Sequence, residues 1–225
     1  MDPAVSAATV GRLPAYLRAA VELGEQRVPS VSSERLAEEA GVHPATLRRD
    51  LASLDITGTR GVGYDIKYLV SQISLVLGLN QQWPVVIIGA GNLGTALAKY
   101  GGFGERGFPV AAIIDVSPEL VGSEIAGVSV FGPEELGRLV SEEDILVGVI
   151  TTPAPVAQEA ADMLVRHGIR SILNFTTEAL DLPADVTSRS VDIATELQIL
   201  SFYRQRGRAA RTGTGVPLGS GDRSD

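Results

Sequence analysis

Residues 89–94, "GAGNLG", carry the glycine spacing that lets a backbone close around a pyrophosphate. Gly89 permits a tight turn, Gly91 lets the main chain approach a phosphate, and Gly94 lets a helix pack against the preceding strand. Asn92 and Leu93 fall in the first helical turn, where unpaired N–H groups and the positive end of the dipole face an anion. The apolar run "VVII" precedes the motif and "TALAKY" follows it, so the strand–turn–helix context is present. Asp115 closes "AAIID", 21 residues after Gly94. A carboxylate there accepts hydrogen bonds from both ribose hydroxyls and repels a 2′-phosphate, and no arginine follows in "DVSPEL", which favours NAD(H) over NADP(H). The competing reading is a tight turn without a ligand; strand, glycines, helix and acid together weigh against it.

Two later turns follow strand-like runs and belong on the same edge of a sheet: "TTPAP", with Thr151, Thr152 and Pro153, and "NFTTEA", with Asn174 and Phe175. Ligands of such sheets bind beyond the carboxyl ends of the strands, so these five residues are candidates for the nicotinamide end. A helix cap at Thr152 or an ordinary loop role competes for each. Hydride transfer needs a proton donor or acceptor beside the substrate, and the chain has two histidines, His43 and His167, neither near the glycine motif in sequence. No catalytic residue and no metal site is expected. The absence of cysteine excludes thiolate zinc and cysteine-ligated iron–sulfur chemistry.

A second constellation lies upstream. In "HPATLRRDLASL", Leu47, Leu51 and Leu54 make an inward stripe at helical spacing. Ala45, Thr46 and Arg49 then face away from it, with Arg48 at the flank. "VSSERLAEEAGV" before it supplies a Ser32 cap and a Gly41 stop, so the two stretches outline a helix-turn-helix. "TGTRGVGYDI" reads as a small hairpin, a wing that presents Arg60 and Gly61 to a narrow minor groove. Two arginines on a helix are often only a solvated face, and it is the adjoining turn and wing that favour DNA.

These residues require two kinds of scaffold. Helical patterns fill the first part, with Pro14 expected at the first position of an opening helix whose Leu13, Leu17 and Val21 face inward. "YDIKYLVSQISLVLG" is expected to link to the second part as a helix ending at Gly78. From Trp83, strands "PVVIIGA", "PVAAIIDV", "VSVF", "DILVGVIT", "SILNFT" and "TSRSV" alternate with helices starting at Gly94 and Pro155, plus a shorter one near "PEELGRLV". The fold class is therefore α/β: a winged helix-turn-helix over 1–82, then a Rossmann-like, doubly wound parallel sheet over 83–190. A last helix is expected over 191–206 and a disordered tail over 207–225, rich in Gly, Ser and charge. The net charge of −8 is uneven: residues 1–82 hold eight Lys and Arg against nine Asp and Glu, the remainder eleven against eighteen. Any DNA face must be a local cluster in the first part. No membrane-length apolar run and no secretory pattern is present, so a cytoplasmic location is expected.

With "VSSERLAEEAGVHPATLRRDL", "GTRGVGYDI" and "GAGNLGTALAKYGGFGERGF" in one order, the chain resembles the Rex family of bacterial redox-sensing transcriptional repressors over about residues 12–206. The resemblance implies a homodimer that binds operator DNA when NAD+ predominates and leaves it when NADH binds, with NAD(H) a ligand and not a co-substrate. It places the recognition-helix basic pair at Arg48 and Arg49, where many members carry lysine second, and the wing arginine at Arg60. It implies a cross-dimer pair of Tyr100 and Asp192, followed by Ile193 where some members have an aromatic residue. It also implies a C-terminal helix exchanged between protomers. In "DIATELQILSFYR" one stripe holds Ile193, Leu197 and Leu200 and another holds Ile199, Phe202 and Tyr203, as a helix with neighbours on two sides requires. The alternative function is a small NAD-dependent dehydrogenase with an accessory helical arm.

Overall fold

The computed structural model describes residues 5–212, with side chains through residue 206. The chain divides into two compact units, Met1–Gln82 and Trp83–Asp225.

The first unit is built on four helices. Helix α1 (Ala7–Glu25) starts at Ser6, whose side chain accepts the Thr9 N–H, and it carries Pro14 inside instead of at its first turn. The expected start was too late because the serine cap lies upstream, and the proline removes only one main-chain donor. The buried face is also rotated from the expected one. Leu13, Tyr16, Ala20 and Leu23 are buried, whereas Val21 is 40% exposed.

Helices α2 (Ser33–Glu39) and α3 (Pro44–Ala52) are joined at Gly41, which takes the left-handed φ of 69°. Ser32 caps α2 by accepting the Arg35 N–H, and the His43 Nδ1 caps α3 by accepting the Ala45 N–H. Strands β1 (Ser30–Val31) and β2 (Tyr64–Asp65) pair antiparallel, and the wing between α3 and β2 is closed by a single bridge, Thr59 to Gly63. Helix α4 (Ile66–Val76) is capped by Asp65. All four helices contribute to one apolar cluster, in which Leu36, Leu47, Leu51 and Leu69 are fully buried.

The second unit is a seven-stranded sheet. Its strands are β3 (Val85–Ile88), β4 (Val110–Ile114), β5 (Glu124–Ile125), β6 (Val128–Phe131), β7 (Val147–Ile150), β8 (Ser171–Asn174) and β9 (Thr187–Ser190). Across the sheet they run β5-β6-β4-β3-β7-β8-β9. From β6 to β9 this is the order in which two mononucleotide-binding halves meet, with the reversal between β3 and β7. Strand β3 pairs in parallel with both neighbours, with β7 in continuous register from Val85 to Ile88 and with β4 after a one-residue shift between Val85 and Val86. The expected parallel sheet gains one strand not read from the sequence at its edge: β5 pairs antiparallel with β6. The hairpin turns at Ala126 and Gly127, both with positive φ, the geometry of a two-residue turn that suits twisted strands.

Helices α5 (Asn92–Ala98), α6 (Leu136–Glu142) and α7 (Ala157–Arg166) make the crossovers. Two clusters form the core: one holds Val86, Ile88, Ile114 and Leu164, the other Val85, Ile87, Ile113 and Val149. Alternate residues of β3 thus serve opposite faces, as the pleat dictates.

Helix α8 runs Ile193–Thr212, past the point where the tail was expected to begin. The sequence "RAART" holds good helix formers, and the glycine-rich stretch starts only after it. The remainder of that expected disordered segment, 213–225, lies outside the described residues. No helix among the described residues is long and apolar enough to cross a membrane.

Candidate functional site

The glycine motif sits where β3 ends and α5 begins, at the sheet's reversal point. Gly89 has φ 103°, and Gly91 caps α5 in extended conformation with no side-chain hydrogen bond. Asn92 is exposed, Leu93 half-buried and Gly94 buried in the first turn. A Cβ on Gly94 would collide with the Gly89 carbonyl oxygen and lie 2.9 Å from Thr151 Oγ1, so only glycine closes this turn. At Gly91 a Cβ would meet nothing within 4 Å. The space in front of the α5 N-terminus is therefore open, with uncapped N–H groups facing it.

Asp115 stands at the end of β4 beside this turn. Its Oδ2 accepts the Ala90 N–H at 2.6 Å and its Oδ1 accepts the Ser117 N–H at 2.8 Å. The carboxylate thus ties the glycine loop to the adjoining strand. A carboxylate offers about four acceptor positions, so two remain for ribose hydroxyls.

The residues after β7 divide into different roles. The Thr151 hydroxyl lies 2.8 Å from the Gly89 carbonyl and 3.0 Å from that of Ile88, bonding under the turn. Thr152 Oγ1 is buried and has no hydrogen-bond partner, and Pro153 leads into a short 3-10 turn. An orphaned hydroxyl near an open helix N-terminus fits a polar ligand group. After β8, Asn174 is fully buried: its amide donates to the Glu178 carbonyl at 3.0 Å and accepts the Thr176 N–H at 2.9 Å. Its side chain organises its own loop instead of facing a ligand. Phe175 is half-buried against the β3–β4 core, and its N–H donates to the Ile150 carbonyl. Glycine cradle, acid, open helix end and orphaned threonine together fit a dinucleotide.

In the first unit the recognition-helix candidates share one face. Ala45, Arg48 and Arg49 are exposed and Thr46 is half-buried, while Leu47 and Leu51 point into the core. Arg60 and Gly61 stand exposed at the tip of the wing. Between them is a notch of about 390 Å³ lined by Ser33, Glu34, Arg48, Thr59, Arg60 and Tyr64.

The sequence reading missed what holds α3 in place. Asp50, on its inner side, is 3% exposed and accepts from Arg12 Nε at 2.6 Å, Arg12 Nη2 at 2.8 Å, Tyr16 Oη at 2.7 Å and Thr9 Oγ1 at 3.1 Å. The Arg12 guanidinium holds the Asp50 carboxyl below its usual range, and the Tyr16 and Thr9 hydroxyls add to this. Burial, then the hydrogen bond to Asp50 and its charge, pushes the Tyr16 phenol up to about 12. Thr9, Arg12 and Tyr16 share a helix face, a spacing legible in sequence, but their target on α3 is a tertiary contact.

Tyr100 follows the last turn of α5, 48% exposed, its ring edge-on to Phe103 at 5.3 Å. Asp192 caps α8, accepting the Ala194 N–H at 2.9 Å and the Thr195 hydroxyl at 2.8 Å. Within one chain each of the two has these local partners. On α8, Ile193, Leu197, Leu200, Phe202 and Tyr203 are 52–66% exposed, and Ile199 44%. Among the described residues no cluster of metal-ligating side chains occurs.

Residues 4–52 match a family described as a putative DNA-binding protein N-terminus, and residues 80–178 match a CoA binding domain family. A redox-sensing transcriptional repressor Rex of Streptomyces griseus is 55% identical over 88% of this chain and 79% of its own length. The Rex of Streptomyces coelicolor is 53% identical over 94% and 83%. Among solved structures, a Rex-family repressor, RSP, in complex with β-NAD+ and operator DNA superposes with a TM-score of 0.84 at 35% identity, covering 92% of this chain and 96% of that one. RSP in complex with β-NADH gives 0.83 at 34%, over 93% and 99%. The chain belongs to the Rex family of redox-sensing transcriptional repressors.

Proposed function

We propose that the protein is a homodimeric repressor that binds operator DNA when NAD+ predominates and is released by NADH. The observation that carries this reading is the presence in one chain of an exposed arginine pair on a winged-helix unit and a glycine turn faced by Asp115 in a second unit. The solved relative in complex with NAD+ and operator DNA, and again with NADH, supports the pairing of these ligands.

In this reading α3 enters the major groove with Ala45, Thr46, Arg48 and Arg49, and the wing places Arg60 and Gly61 in the adjoining minor groove. The pyrophosphate rests on the α5 N-terminus at Gly91, Asn92 and Leu93, with Gly89 and Gly94 shaping the turn. Asp115 holds the adenosine ribose, and Thr152, Pro153 and Phe175 border the nicotinamide end. Thr151 and Asn174 act by supporting their loops. The exposed stripes of α8 are covered by a second copy, where Asp192 meets Tyr100 of the partner. The oxidised nicotinamide ring is positive and the reduced ring neutral, and this pair reports the difference. Operator binding places the protein in the cytoplasm.

The dehydrogenase reading is set aside because relatives of 55% and 53% identity are named repressors. The test is operator binding, measured by anisotropy at fixed salt while the NADH/NAD+ ratio is varied at constant total dinucleotide. Binding should fall as the ratio rises, with no turnover of NADH. Binding that ignores the ratio would sink the proposal.

A further inference from the structure

The notch between α2, α3 and the wing contains an acid where a phosphate-binding surface has no use for one. Glu34 lies in the first turn of α2 with its side chain 67% exposed, and its Oε1 accepts from Arg48 Nη1 at 3.0 Å. The same Nη1 donates to Ser33 Oγ at 2.9 Å, and Ser33 Oγ donates to Glu34 Oε1 at 3.0 Å. A guanidinium Nη carries two hydrogens, so both donors of this nitrogen are engaged inside the protein. The Glu34 carboxyl is held below its usual range by its own main-chain N–H and by the Ser33 hydroxyl, so it is charged at neutral pH.

Two simpler roles account poorly for this triangle. An exposed ion pair contributes little to stability, and α2 already has its cap in Ser32. The position matters more: Arg48, Glu34 and Arg60 line one notch of about 390 Å³, and the unit around it has eight basic against nine acidic residues. With no surplus of positive charge in the unit, each internal acid–arginine contact directly subtracts from the attraction for a duplex.

We propose that Glu34, steadied by Ser33, is an internal competitor for Arg48 that restrains the affinity of this repressor for the phosphate backbone of any duplex. The inference rests on the DNA-binding reading of the first unit. A phosphate that reaches Arg48 through its Nε and Nη2 donors meets the Glu34 carboxylate held at Nη1, so part of each encounter's Coulombic gain is offset by that neighbouring charge. The restraint acts on operator and non-operator duplexes alike, because backbone charge carries no sequence information. It keeps the protein from remaining on DNA through charge alone once the operator contacts are released.

The test uses the full-length protein with an operator duplex selected by wild type from random duplexes, and a scrambled duplex of the same length and composition. Affinities are measured by anisotropy over a range of salt. Glu34→Gln should bind both duplexes about two- to fivefold more tightly at low salt, the range an exposed ion pair allows. Its salt dependence should steepen by about one unit, one further phosphate engaged. In an Arg48→Ala background the same substitution should have less than half that effect. Thermal unfolding and NADH binding should match wild type.

A loss of operator affinity with scrambled binding unchanged would mean that Glu34 reads a base. A loss on both duplexes would mean that it props Arg48 into a binding pose, and no change on either would leave the pair a surface contact; each result overturns the proposal. Wild-type protein that selects no duplex in any dinucleotide state would instead overturn the functional reading, and this inference with it.

Discussion

At the scale of single residues, the Asp115 carboxylate ties the glycine loop through Ala90, and in the proposed reading it also offers acceptors to a ribose. Asp115→Ala should lower NADH affinity by about 1–3 kcal/mol, the loss expected for hydrogen bonds to a charged acceptor. It should also narrow the preference over NADPH, since the repulsion of a 2′-phosphate disappears. Calorimetric titration with both dinucleotides checks this, and unchanged NADH affinity would remove Asp115 from the site. Asp115 was legible because a fixed spacing from a glycine turn places it. Asn174 was not, because its partners at Thr176 and Glu178 depend on how the loop folds back. Thr151 and Thr152 look alike in sequence. The pairing of β7 beside β3 gives Thr151 the Gly89 carbonyl and leaves Thr152 with no partner.

At the scale of elements, α3 is fastened to α1 by the Asp50 cluster. Asp50→Asn removes a buried charge from beneath Arg12, Tyr16 and Thr9 and should destabilise the first unit by about 3 kcal/mol. The Asp50 carboxyl is depressed in the folded state, so its contribution is fully present above the ordinary value of 3.8 and is lost as pH falls below it. Acid titration of the folded protein should therefore show the wild-type first unit losing stability below about pH 4, with the Asp50→Asn variant lacking that component. Circular dichroism in urea across pH 3–7 would measure both effects. A variant as stable as wild type at pH 7 would contradict the clamp. Helix α8 is different: its apolar stripes stand 44–66% exposed. Replacing both Leu197 and Leu200 with Asp should shift the protein to monomer in analytical ultracentrifugation while leaving each unit's fold intact. A variant that still sediments as a dimer would show that another surface holds the copies together. The helices and central strands were readable from periodicity and caps. Strand β5 was not, because two residues make no pattern, and Pro14 misled because a proline marks a helix start more often than an interior.

At the scale of the whole molecule, the release proposed above requires a difference in affinity between two arrangements of the proposed dimer. To move from 99% bound to 99% released takes about 5.5 kcal/mol, more than a single contact supplies, so both sites of a symmetric dimer should act together. Tyr100 and Asp192 suit the proposed switch: one ring is half exposed, and among the described residues the carboxylate's bonds go to the first turn of its own helix. Asp192→Ala should keep NADH binding and operator binding but lose much of the effect of one on the other. Anisotropy titrations with NADH in the presence of operator would show this, and release over the wild-type NADH range would exclude the pair from the switch.

Among the described residues the two units also keep separate cores, with no residue common to the cluster around Leu47 and those around Ile87 and Ile88. Inheritance can exploit that separation. If α3 reads the operator as proposed, a mutation there that redirects the protein to other promoters leaves the packing beneath the glycine turn untouched. One that retunes the dinucleotide cleft leaves the genomic address as it was. Lineages can therefore rewire which genes answer to redox state, and at what threshold, by independent steps.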